Sequence, residues 1–456
     1  MNNTIAAIAT PSGEGGLSII RFSGARALTI ARKLFRTPSG NLATKLLSHK
    51  ACFGSIQDPT TRECIDEVIL TWFQAPKSYT GEDIVEITAH GGLFVSSRIL
   101  ELVIDQGAQP AEPGEFTRRA FINGRIDLSQ AEAVADLISA ASDKALQAAV
   151  IQLKGHLSKQ VNELYDRLLA VLVQIETAID FPEEGLDFQR IEILTTEVQS
   201  VLNKIDALIQ TYRQGKILRE GASVALVGKP NVGKSSLLNA LLKEDRAIVT
   251  PYPGTTRDTL EERVRIKDTH INIIDSAGLR DHPETVEKEG IERTRLAVKN
   301  ADLVLAIFDR SQPLDKNDDI IYKEVEKKPT LVIINKCDLM GKWSPADLKI
   351  KPTEPIFISV KEKSGFEALI EGIHNHVVQT ATHGETIFIT RERHRTHLVD
   401  ASKSLENTLE SLQKKLSEEF IATDLSIAMN HLAAILGKSI EEDLLDQIFN
   451  SFCIGK

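Results

Sequence analysis

The sequence predicts a multidomain chain: an α+β N-terminal domain, an all-α helical domain, and an α/β P-loop domain inserted into the helical one. Three observations carry this. Gly228-Lys229-Pro230-Asn231-Val232-Gly233-Lys234-Ser235 has the spacing of a phosphate-binding loop, set between a strand-like run, Val224 to Val227, and a helical one, Ser236 to Leu242. Apolar residues recur at helical spacing from Leu137 to Ile175 and again from Leu405 to Leu436, flanking a block in which strand and helix alternate. Before about Thr117, short apolar runs alternate with Gly and Pro clusters, as in a mixed α+β domain. The expected boundaries are 1–118, 119–215, 216–378 for the inserted domain, and 379–456.

At 456 residues the chain has room for about three cores. Its net charge of −10 excludes a global positive field for nucleic acid, so any RNA contact must be local. The four cysteines, Cys52, Cys64, Cys337 and Cys453, have neither C-x-x-C nor zinc spacing, which points to a reduced, cytoplasmic protein. No leader and no apolar run of membrane-spanning length is read, so no membrane partner is expected.

In the N-terminal domain, strands are expected at Ile5 to Ile8, Leu17 to Phe22, Val68 to Phe73 and Ile84 to Ile87, with helices near Ala25 to Leu34 and Val95 to Gln106. His90-Gly91-Gly92 reads as a tight turn with a structural histidine. Between Gly15 and Gln57 stand Arg21, Arg26, Arg32, Lys33, Arg36, Lys45 and Lys50 with no acidic residue. Two readings stay open for this run, a solvated basic face and a patch for RNA or another anion. Further on, long amphipathic helices are expected, interrupted at Pro182 and Gly185, and the two helical flanks should pack on each other. His394 and His397 lie one helical turn apart without a third ligand, so no metal is assigned to them.

The P-loop motif has a stated chemistry. Gly228 and Gly233 let amide groups turn toward phosphate oxygens at a helix N-terminus, with Asn231, Val232 and Ser236 in the same wrap. Lys234 suits the β- and γ-phosphates, and the Ser235 hydroxyl suits one Mg²⁺ position. Downstream, the strand-like Ile271 to Ile274 delivers Asp275-Ser276-Ala277-Gly278: Asp275 suits Mg²⁺ through water, and the Gly278 amide suits the γ-phosphate. Leu331 to Ile334 ends in Asn335-Lys336-Cys337-Asp338, whose Asp338 carboxylate can accept the two N–H groups of a guanine edge, a pattern adenine lacks. Ile356 to Ser359 adds a last strand and a small polar residue for the guanine carbonyl, followed by Val360 and Lys361. Together these read as a Ras-like GTP-binding domain.

The residue after D-x-x-G is Leu279 rather than a glutamine, so another group must orient water; Arg280, Glu284 and Glu287 are the candidates. Transition-state charge also needs a cation. Asn231 can ligate a monovalent one, with carbonyls from Thr250-Pro251-Tyr252-Pro253-Gly254-Thr255 completing a cage, and Thr256 is the natural second Mg²⁺ hydroxyl.

Over essentially its whole length the chain resembles the tRNA modification GTPase family known as MnmE or TrmE. The matching features are Thr10-Pro11 with Gly15-Gly16 and Arg21, Ser78-Tyr79-Thr80-Gly81-Glu82-Asp83, Pro113-Gly114-Glu115-Phe116-Thr117, Gly254-Thr255-Thr256-Arg257-Asp258, and Phe452-Cys453-Ile454-Gly455-Lys456. The resemblance implies a K⁺-dependent GTPase that forms a homodimer through its N-terminal domain. With an FAD-dependent partner of the MnmG (GidA) type, as a heterotetramer, it would add a carboxymethylaminomethyl group at C5 of the wobble uridine, position 34, of certain tRNAs. The one-carbon donor would be 5-formyl- or 5,10-methylene-tetrahydrofolate. Carried over by position, it implies K⁺ at Asn231, Thr250, Tyr252 and Thr255, Mg²⁺ at Ser235 and Thr256, water orientation by Glu287, and folate contacts at Arg21, Glu82, Arg125 and Lys456. Arg125 stands where the family usually has lysine, and Ser276 where it usually has threonine. For Cys453 two readings remain, an idle thiol and a nucleophile or proton carrier beside the folate. Two other functional classes compete: a regulatory or ribosome-assembly GTPase without one-carbon chemistry, and a folate-dependent aminomethyltransferase that merely carries a GTPase domain.

Overall fold

The computed structural model describes residues 3–41, 46–181, 188–244, 261–267, 269–275, 295–326, 328–349, 354–378, 387–439 and 442–456. The chain divides into two compact units, one made of 1–138, 151–202 and 400–456, the other of 139–150 and 203–399.

The first unit begins with β1 (Ile5–Ile8), β2 (Gly15–Ser23), α1 (Ala27–Leu34), β3 (Phe35–Arg36), β4 (Ala51–Gln57), β5 (Cys64–Phe73), β6 (Ile84–Gly91), α2 (Leu93–Asp105), β7 (Gln109–Pro110) and α3 (Glu115–Ile122). Among the described residues the strands form one sheet in the order β3-β4-β5-β6-β2-β1-β7, antiparallel except for the β1–β7 pair. Period-two alternation decides its faces. Ile20, Phe22, Ile56, Val68, Leu70, Val85 and Ile87 point to the side covered by Ile30 and Leu34 of α1 and Ile99 and Val103 of α2. β4 was absent from the sequence reading, because its alternation is carried by small residues such as Gly54 and Ser55. The turn expected at His90-Gly91-Gly92 is corrected. His90 and Gly91 end β6, where Asp66 accepts from the His90 amide at 2.8 Å, and Gly92 is the extended residue that starts α2.

The helical part comprises α4 (Leu128–Ser139), α5 (Asp143–Leu153), α6 (His156–Asp180) and α7 (Phe188–Gln210), then α12 (Glu392–Gln413), α13 (Glu418–Leu436) and α14 (Glu442–Asn450) near the other end of the chain. Pro182 and Gly185 lie outside the described residues. In α6, Leu157, Val161, Leu164, Leu168, Val171 and Ile175 repeat at three and four residues and are all buried. α6 packs against α13, where Leu425, Ala428, Leu432 and Ile435 are buried in turn. By length and composition alone, Glu418–Leu436 is long and apolar enough to cross a membrane, with a mean hydropathy of 1.2. Yet 56% of that stretch is buried inside the protein, as befits a core helix.

The second unit holds α8 (Tyr212–Glu220), β8 (Ala222–Val227), α9 (Lys234–Glu244), β9 (Glu261–Ile266), β10 (Thr269–Asp275), β11 (Leu303–Asp309), α10 (Lys316–Val325), β12 (Thr330–Asn335), β13 (Ile356–Phe357) and α11 (Phe366–Val378). The sheet order is β13-β12-β11-β8-β10-β9 among the described residues, parallel throughout except for β9 against β10. All seven residues of β11 are buried, the pattern of a strand covered on both faces. In such a sheet the carboxyl ends of the strands gather the functional loops. Here Val227, Asp275, Asp309 and Asn335 terminate their strands.

Leu432 is 0% exposed on the α13 face that meets α6. Leu432→Ala should destabilise the first unit by about 2 to 5 kcal/mol, read as a lowered urea midpoint. An unchanged midpoint would show that this contact is not a core.

Candidate functional site

The phosphate-binding loop lies between β8 and α9. Lys234 is buried, and its ammonium donates to the carbonyls of Gly228 and Lys229, both at 2.8 Å, so the cation sits inside the curl of the loop. Gly233 has φ +103°, and a Cβ there would stand 2.4 Å from Asn335 Nδ2. A side chain at this position would therefore force the loop away from β12. Lys229 ties the loop outward: its ammonium meets Asp318 Oδ2 at 2.7 Å and Asp315 Oδ2 at 3.1 Å, the two acids of the α10 capping box. Asn231 is exposed in the left-handed region at φ 65°, and its side chain makes no hydrogen bond among the described residues. Ser235 and Ser236 open the helix with exposed side chains. The β10 register sets Asp275 beside Leu226, two residues before the loop.

The residues expected around a guanine base gather at the end of β12. Asn335, 2% exposed, donates from Nδ2 to the Val232 carbonyl at 2.8 Å and accepts from the Val360 amide at 3.3 Å. Both ends of its amide are thus engaged by protein, and it is a strut joining the phosphate loop to the segment after β13. Ser359 donates to Asp338 Oδ1 at 2.6 Å. That hydrogen bond, helped by the charges of Lys361 and Lys336, holds the Asp338 carboxyl below its ordinary range, so it stays an ionised acceptor. Lys336, at φ 62°, pairs with Asp309 Oδ2 at 2.6 Å. Burial alone raises the pKa of Asp309, but the hydrogen bonds from Lys336 and from the Ser311 hydroxyl and amide outweigh it, and the carboxyl ends below its ordinary range.

Thr250, Pro251, Tyr252, Pro253, Gly254, Thr255, Thr256, Ser276, Ala277, Gly278, Leu279, Arg280, Glu284 and Glu287 lie outside the described residues.

A separate group of candidates sits in the first unit, where the end of the chain docks on the N-terminal sheet. The amides of Gly114 and Phe116 donate to the carbonyls of Cys453 at 3.4 Å and Lys456 at 3.1 Å. Gly455, at φ +91°, packs so closely that a Cβ would stand 2.6 Å from the Ile8 carbonyl. Arg21 is fully engaged: Nε and Nη2 bond Glu86 at 2.8 Å, Nη1 donates to the Gly455 carbonyl at 3.2 Å, and the rings of Tyr79 and Phe116 lie 5.9 and 5.7 Å away. Glu82 accepts from Ser23 at 2.8 Å and pairs with Arg119 at 3.1 Å.

Arg119 was missed by sequence reasoning. It is 1% exposed and also binds Glu115 and Asn3; its sole sequence signal is the four-residue spacing from Glu115. Arg125 donates from Nε to the Ser78 carbonyl at 3.4 Å and lines an open cleft of about 580 Å³ with His49, Phe73, Pro76, Lys77, Ser78 and Tyr79. Burial pushes up the pKa of the Tyr79 hydroxyl, which is bonded to Thr117 at 2.8 Å. The Cys453 thiol is exposed. Of the four residues implied for folate, Arg125 therefore faces a cleft, while Arg21 and Glu82 are bonded to protein and Lys456 anchors the tail through its carbonyl.

Two outcomes follow from the base pocket. Asp338→Asn replaces an acceptor by a donor at the position expected to face the guanine N–H groups, so affinity for a fluorescent GTP analogue should fall roughly 100-fold. Retained affinity would place the base elsewhere. Because the folded pKa of Asp309 is depressed, its stabilising contribution is present above the ordinary value of 3.8 and is lost as pH falls through the lower folded value. Asp309→Asn should flatten the acid limb of stability below about pH 4 in urea titrations, with no change in slope between about pH 5 and 8.

The family model described as the MnmE helical domain matches residues 128–453, and that described as GTP-binding protein TrmE N-terminus matches residues 4–125. The tRNA modification GTPase MnmE of Thermoanaerobacter sp. (strain X514) is 45% identical over 458 residues, covering 100% of this chain and 99% of that protein. Those of Lactiplantibacillus plantarum and Clostridioides difficile are each 42% identical, over 100% of this chain and 98% and 100% of theirs. A solved structure of Aquifex aeolicus Era is 28% identical over 40% of this chain and 66% of that chain, with a TM-score of 0.26, too low to carry any inference. Matched by both family models and by full-length relatives, the chain belongs to the MnmE family of tRNA modification GTPases.

Proposed function

We propose that the protein is a K⁺-dependent GTPase, cytoplasmic and homodimeric. With an FAD-dependent partner it uses a folate one-carbon donor to place a carboxymethylaminomethyl group on C5 of the wobble uridine of certain tRNAs. The observation that carries this reading is kinship along the whole chain, at 42 to 45% identity, with proteins named tRNA modification GTPase.

In hydrolysis, water attacks the γ-phosphorus, the bond to the β,γ-bridging oxygen breaks, and GDP and phosphate leave. The loop amides and Lys234 bind the phosphates, and electrostatic stabilisation of the spreading charge is the main contribution of the chain. Asp338 reads the guanine edge while Asn335 keeps loop and base pocket in register. Ser235, with its exposed hydroxyl, and Thr256 would hold Mg²⁺, which neutralises charge between the β- and γ-phosphates. Asn231, whose amide is left available at the loop, would hold K⁺ with Thr250, Tyr252 and Thr255, and Glu287 would orient the water.

For folate, the cleft at Arg125 fits an anionic, aromatic molecule: Lys77 and Arg125 offer cations, and Phe73 and Tyr79 offer rings. Arg21 and Glu82 support this region through the docked tail and through Arg119. Cys453 is held at the same docked tail, with its thiol exposed, as a candidate proton carrier or nucleophile.

GTP hydrolysis is to be measured in K⁺ and Na⁺ at matched ionic strength, for the parent, Asn231→Ala and Glu287→Ala. Fast turnover in K⁺ alone, lost by at least 10-fold in either variant, supports the reading. Equal rates in Na⁺ with a silent Asn231→Ala would remove the cation cage. Nucleoside analysis of tRNA from a deletion strain tests the modification separately: an unchanged wobble uridine profile would leave a regulatory GTPase.

A further inference from the structure

The run of cations before Gln57 finds a definite place in the first unit. Helix α1 buries Ala27, Ile30, Ala31 and Leu34 against the sheet and turns Thr29, Arg32 and Lys33 outward, with Arg26 just before it and Arg36 just after. Arg26 and Lys33 are seven residues apart, about 10.5 Å along one helix face, with Arg32 beside them. Arg26, Arg32, Lys33, Arg36 and Lys50 form no ion pair among the described residues, while Arg21, Arg98, Arg118 and Arg119 of the same unit each meet a carboxylate. Two of these cations are fixed without being neutralised. Arg26 donates to the Gln106 carbonyl at 3.0 Å, at the C-terminus of α2, and Arg36 donates to the Lys33 carbonyl at 2.8 Å. Backbone carbonyls orient these guanidinium groups and leave their charge uncompensated. The C-terminal dipole of α1 favours Arg32 and Lys33, but it does not account for the absence of acids from the whole run.

On a chain of net charge −10, an unpaired cationic face is where a polyanion can approach. We propose that the outward face of α1, with Arg26, Arg32, Lys33 and Arg36, is a docking surface for the phosphate backbone of the tRNA. The inference rests on the tRNA-modifying reading above and adds to it the place where RNA is held. Contacts of this kind position the RNA without reading its bases, so the face contributes affinity and register, not the choice of nucleotide.

The test uses the full-length protein and an in vitro transcribed tRNA, followed by fluorescence anisotropy across a salt series. The side chains of Arg32 and Lys33 make no hydrogen bond among the described residues, and the Lys33 carbonyl that Arg36 bonds is backbone, so Arg32→Glu/Lys33→Glu should leave the fold and basal GTP hydrolysis intact. Losing two phosphate contacts should weaken binding roughly 20-fold at 0.15 M salt and make the log–log salt slope shallower by about 1.5 to 2. Arg32→Lys should retain most of the slope. The control Lys154→Glu/Lys159→Glu changes the charge by the same amount on exposed positions of the same unit and should move the slope little. Parent-like binding by the α1 variant, equal loss in the control, or transfer of the effect to anionic vesicles alone would each overturn the proposal. Absence of tRNA binding by the parent would also overturn it, whereas the modification reading would stand or fall on the nucleoside profile.

Discussion

Closure of the chain on itself is the constraint from which the first unit follows. Phe449 and Phe452, 2% and 8% exposed, pack with Leu128 and Ala131 in one buried cluster. Gly114 must be glycine for this to happen: at φ +66°, a Cβ would stand 2.6 Å from the Phe449 carbonyl. Hydrophobic burial supplies the attraction, and the hydrogen bonds of Gly114 and Phe116 to the tail carbonyls set the register. Residues more than 300 positions apart thereby share one core, and the intervening segment is carried as an insertion.

In the second unit, Asn335 has the corresponding role on a smaller scale. A buried amide with both ends engaged joins the phosphate loop, β12 and the segment after β13. Such a group is costly to leave half-satisfied, so the three segments hold one arrangement, and the positions of Asp338 and Lys234 are fixed with it. The Lys229 pairs with Asp315 and Asp318 steady the outer side of the same loop.

Charge is distributed unevenly across the first unit. Arg119 is buried, and its two terminal nitrogens meet Glu82, Glu115 and Asn3, as a buried cation requires. Arg21 is consumed by Glu86 and the tail, so its charge steadies the docked terminus and is not displayed to solvent. Among the described residues the cations of α1 meet no carboxylate, and the contrast within one unit separates them from the arginines that hold the fold together.

Local pattern in the sequence determined much of this protein. The glycine spacing of the phosphate loop, the Asn335 to Asp338 run after a buried strand, and the three-and-four repeat of α6 are short-range signals, since each depends on residues within a few turns or a few bonds. What these signals could not carry was partnership between distant positions. The small residues of β4 were silent, and His90 continued a strand because β2 pairs with it at Leu17, seventy-three positions earlier. Arg21 and Glu82 meet protein groups that their spacing did not announce, and Arg119 was invisible until burial brought Glu82, Glu115 and Asn3 around it. Tertiary structure decided these because a buried charge takes its role from whichever groups surround it, and chain closure chose those groups.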